Sequence, residues 1–95
     1  MVTQKEVHKC AVDHLFWEKP VNIPERLCLI HSEVSEAMEI HRNKYRHIGK
    51  FAEELADIVI RVMDLAEYLE INLKYEIEMK HITNLARPLK HNKKY

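Results

Sequence analysis

Residues 53–69 read EELADIVIRVMDLAEYL, and this segment decides the fold. Leu55, Ile58, Val59, Val62, Ala66 and Leu69 recur at steps of three and four, which lines them along one face of a helix. Glu54, Asp57, Arg61 and Asp64 share a flank of that helix. The upstream segment LIHSEVSEAMEIHR, residues 29–42, has the same character, with Leu27, Ile30, Val34, Ala37 and His41 along one face. One Gly and three Pro give the chain little punctuation. Pro20 and Pro24 bracket a break, Gly49 follows the polar stretch Asn43–His47, and Pro88 lies beyond the last periodic segment. The pattern predicts helices over 3–17, 23–43, 50–69 and 73–86. Thr3 with Glu6, and Asn22 with Glu25, have the spacing of capping boxes, and Pro24 falls in a first turn that tolerates it. No alternating β-branched run suggests a sheet. The expectation is an all-α fold, a compact bundle of about four helices, forming a single domain over 1–95 that ends in a basic tail over 87–95.

The chain has 95 residues, 46% hydrophobic and 32% charged, near the lower limit for a core that stands alone. Leu29, Ile40, Ile60 and Leu65 lie off the main stripes. A chain this short with apolar residues on several faces is expected to complete its core as a homodimer or homotetramer. No apolar run is long enough for a bilayer, and charges throughout residues 1–20 leave no secretory segment. Cys10 and Cys28 make no disulfide framework, so the expected location is cytoplasmic, without membrane contact. Fifteen acids balance fifteen bases, which argues against a nucleic-acid partner. That balance hides an asymmetry: residues 25–78 hold 12 acids against 7 bases, while residues 79–95 hold 5 bases and no acid.

Two spacings carry chemistry: Glu33-Val-Ser-Glu36 and Glu54-Leu-Ala-Asp57. Residues three apart point the same way on a helix, and like charges there repel. The cost grows with burial unless a cation intervenes. Glu33 and Glu36 flank the direction of Leu29 and Ile40, so they are expected to be partly covered. If the helices run antiparallel, four carboxylates converge. Hard oxygen ligands with room for water and phosphate suit Mg²⁺, with Mn²⁺ as the alternative. The plain alternative is two solvated acidic pairs, which are common on surface helices.

With its E-x-x-E and E-x-x-D motifs separated by 17 residues, the chain resembles the MazG-like family of all-α nucleoside triphosphate pyrophosphohydrolases. The resemblance spans roughly residues 22–95. It includes the ending KHITNLARPLKHNKKY, where Asn92 stands in place of the family's usual Gly. It implies hydrolysis of a nucleoside triphosphate to the monophosphate and pyrophosphate, in nucleotide house-cleaning or pool control. Glu33, Glu36, Glu54 and Asp57 would then be both metal ligands and catalytic residues. Lys80, Asn84, Arg87, Lys90 and Lys93 would bind the substrate. Two other functions compete: an idle helical oligomerisation module, and a related hydrolase such as phosphoribosyl-ATP pyrophosphohydrolase.

Other residues admit two readings. Trp17 can stack on a nucleobase or serve as a core or interface aromatic, the second being the stronger reading. Arg61 and Asp64 are either partners that orient the acidic ligands or a surface ion pair at helical spacing. Asn84 is either a nucleotide contact or a helix C-cap. His31 and His41 do not form the E-x-x-H pattern of a di-iron site and read as structural or solvated.

Overall fold

The structure, a computed structural model, describes residues 1–43 and 47–88. It holds four helices: α1 (Gln4–Asp13), α2 (Ile23–Arg42), α3 (Ile48–Tyr68) and α4 (Leu73–Ala86). There is no strand among the described residues. No helix among them is long and apolar enough to cross a membrane.

The helix starts follow from side-chain caps. Thr3 and Glu6 form the full reciprocal box, and the Asn22 side chain accepts from the Glu25 amide. His47 caps α3 by accepting from the Lys50 amide at 3.2 Å. Gly49 therefore lies inside the first turn of α3 and does not break the chain before it. A Cβ at Gly49 would meet the capping imidazole at 3.1 Å.

Two of the helix ends share one device. After α1, Leu15 has φ 68°, with the Phe16 amide bonded to the Ala11 carbonyl and the Leu15 amide to Val12. After α3, Glu70 has φ 58°, with the Ile71 amide bonded to Ala66 and the Glu70 amide to Glu67. Both are Schellman caps, built without the glycine that usually marks them. α1 consequently stops at Asp13, short of the predicted residue 17.

α3 is central. α1 and α2 pack along it, while α4 touches it lightly and buries no residue of its own. Gln4 ties the α3–α4 turn to α1. Its amide nitrogen donates to Glu67 Oε1 at 2.9 Å and the Ile71 carbonyl at 2.6 Å, and its oxygen accepts from the Leu73 amide. The buried apolar residues are Val7, Ala37 and Ala66, small side chains where helices approach closely. Leu27, Val34 and Met38 on α2, Leu55 and Val59 on α3, and Tyr75, Met79 and Ile82 on α4 are exposed. The radius of gyration is 16.0 Å, against about 12 Å for a compact chain of this length. The accessible surface is 8206 Å², against roughly 5,800 Å² for a folded monomer of this mass. The compactness expected from sequence is thus not reached by one protomer.

Candidate metal centre

α2 and α3 bring Glu33, Glu36 and Glu54 together. One carboxylate oxygen of each lies within 4.8 Å of the others. Glu33 is buried, Glu54 half-buried and Glu36 exposed, a gradient that opens the cluster to solvent on one side. Asp57 is exposed and stands beside the cluster without joining the close trio.

The charges are settled unevenly. Arg61 Nε donates to Glu33 Oε1 at 2.8 Å. Burial alone pushes the Glu33 carboxyl up. The Arg61 guanidinium outweighs it and holds the group below the ordinary glutamate range. Glu54 moves the other way: burial raises it first, and the charges of Glu36 and Asp57 raise it further. Its Oε2 is buried and makes no hydrogen bond. Such an oxygen, facing further carboxylates, can take either a proton or a cation. Three hard oxygen donors from two helices, with an open side, fit Mg²⁺ or Mn²⁺.

A cavity of about 520 Å³ adjoins the trio between α1, α2 and α3. Glu33, Asp57 and Arg61 line its polar end, and Val7, Ala11 and Phe16 supply apolar wall. At its far side Asp64 accepts from His8 Nδ1 at 2.6 Å and from Trp17 Nε1 at 3.0 Å. The Trp17 ring stacks on Tyr68 with centroids 4.6 Å apart, and the Arg26 guanidinium lies 3.9 Å from its centre. At these distances the two groups are too close to share a face, so the indole is sandwiched. A base could stack on Trp17 only by displacing one of them.

Arg61 and Asp64 thus go to different partners and do not form the surface pair that their spacing allowed. Lys80, Asn84 and Arg87 sit on or just after α4, and no α4 residue lines the cavity. Asn84 is in the last turn, where its carbonyl accepts from Arg87, the residue that caps the helix. The buried Asn84 Oδ1 has no hydrogen bond. Lys90 and Lys93 lie outside the described residues. Sequence reasoning missed His8 and Arg26, which carry no spacing signal because their partners are 56 residues away and across a turn. Neither a family model nor any curated protein or solved structure matches the chain.

Proposed function

We propose that the protein is a Mg²⁺-dependent nucleoside triphosphate pyrophosphohydrolase, working as a homodimer or homotetramer. One observation carries the reading: three carboxylates from the two motif helices converge within 4.8 Å, with a buried, unbonded oxygen on Glu54. The resemblance of the motifs to the MazG-like family supports it. Bound Mg²⁺ would neutralise phosphate oxygens and lower the pKa of the attacking water. Glu33 and Glu36 present their oxygens from α2, and Glu54 does so from α3, with Asp57 beside it. Water attacks the α-phosphorus, and the bond to the oxygen bridging toward the β-phosphorus breaks, giving the monophosphate and pyrophosphate. One of the site's carboxylates takes the water's proton. The cavity has the size of a small-molecule site, and its apolar wall suits a nucleoside.

Surface area supports the oligomer. The protomer exposes roughly 2,400 Å² more than a monomer of its mass should, and stable associations bury surface on that scale. Association would also cover the apolar face of α4 and bring Lys80, Asn84 and Arg87 toward a site they do not line within one chain.

The test is pyrophosphate release from a panel of nucleoside triphosphates and phosphoribosyl-ATP, with Mg²⁺ present. Release from one or more nucleoside triphosphates is expected. Release from phosphoribosyl-ATP alone would move the chain to the related hydrolase, and no release from any would leave the idle module.

A further inference from the structure

We propose that Arg61 is a resident counter-ion: its guanidinium holds Glu33 in the metal-free protein and leaves that carboxylate when a divalent cation enters. The inference rests on the metal reading given above. Glu33 is 8% exposed, and a buried carboxylate needs a cationic partner to stay charged. Arg61 is that partner, through Nε at 2.8 Å on Oε1. A cation taking Glu33 through both oxygens would need the Oε1 that this bond occupies, so guanidinium and cation compete for it. Arg61 is free to move, because its side chain is 36% exposed and it lines the cavity. Arg26, the other guanidinium of that cavity, is pinned by the Trp17 ring and by the Phe16 carbonyl at 2.5 Å.

The released guanidinium finds few acceptors nearby. Asp64 is already bonded to His8 and Trp17. Asp57, one turn back on α3, and any anion in the cavity remain. An arginine fork can clasp a phosphate through two bonds. Cation entry would therefore hand a phosphate-binding group to the cavity, coupling occupancy of the metal site to that of the phosphate site.

The experiment is an Mn²⁺ titration of the full chain without nucleotide, read by electron paramagnetic resonance, on wild type, Arg61→Gln and Arg26→Gln. Arg61→Gln should bind Mn²⁺ about tenfold more tightly, since a charge-assisted competitor is gone. Its metal-free form should melt lower than wild type, with Mn²⁺ reversing the deficit. Arg26→Gln removes the same charge from the same cavity without touching Glu33, and should change the affinity by less than about twofold. Unchanged or weaker Mn²⁺ binding by Arg61→Gln would overturn the proposal while leaving the metal site standing. An equal gain in Arg26→Gln would also overturn it, by showing a through-space effect of charge. No Mn²⁺ binding by any of the three would overturn the metal reading as well.

Discussion

Asp64 on α3 and the trio that α2 and α3 share are satisfied very differently. Asp64 has a donor for each oxygen: His8 and Trp17 reach Oδ1, and Trp17 also reaches Oδ2. Glu33, Glu36 and Glu54 have one guanidinium among three carboxylates, and one of their buried oxygens bonds to nothing. A carboxylate placed for stability is surrounded by donors, as Asp64 is. A group of carboxylates that repel each other at close range costs stability and calls for another explanation. The comparison sets a strut beside a candidate site, a few turns apart along α3.

Variants sharpen that contrast. Glu36→Gln should reduce pyrophosphate release by on the order of a hundredfold or more, with the circular dichroism of the wild type. An active Glu36→Gln would erase the distinction between the clusters. Asp64→Ala should act on the fold, costing about 2–3 kcal/mol by stripping an ionic acceptor from His8 and Trp17. Urea denaturation reads this directly, and a change below about 0.5 kcal/mol would mean that Asp64 is no strut.

The two glutamates of the site should also leave opposite traces on stability against pH. Glu54 titrates above the ordinary value of 4.5 in the folded chain. Its contribution is fully present below that value and is lost as pH rises through the folded pKa. Glu33 titrates below 4.5, so its contribution is present above that value and is lost as pH falls through the folded pKa. In metal-free protein, the melting temperature of Glu54→Gln minus that of wild type should therefore widen as pH rises from 4.5. A difference that stays flat would show that Glu54 feels no repulsion. The smallest effect lies outside both clusters: Glu70→Gly should stabilise the protein by about 0.5 kcal/mol by relieving its left-handed backbone. Any loss of stability there would mean that the Glu70 side chain does something the cap does not require.

What could be read in the sequence was whatever depends on local periodicity. The apolar steps of 53–69 and the cap at Asn22 placed α2 and α3 closely, while the acidic spacings pointed to four converging carboxylates, of which Asp57 stands outside the close trio. The end of α1 was missed because a Schellman cap on Leu15 lacks the usual glycine. The periodicity starts the third helix at residue 50, whereas it starts at Ile48, with Gly49 accommodating the His47 cap. The partner of Arg61 stayed open in the sequence, since its position served an acidic ligand and Asp64 alike, and the packing of α2 on α3 gives it to Glu33. Only the packing of α1 against α3 gives Asp64 to His8 and Trp17 instead. The looseness of α4 was hidden as well, because a periodic apolar face looks the same whether it is covered by its own chain or by another.

The central claim is that Glu33, Glu36 and Glu54 converge to hold a cation and not to support the fold. Thermal melting of wild type and Glu54→Gln, each with and without Mg²⁺, tests it most directly. The account predicts that Mg²⁺ raises the wild-type midpoint, by the linkage of binding to folding. It also predicts that metal-free Glu54→Gln melts above metal-free wild type and gains nothing from Mg²⁺. A wild type indifferent to Mg²⁺, together with a Glu54→Gln that melts lower, would contradict it and assign these acids to the fold.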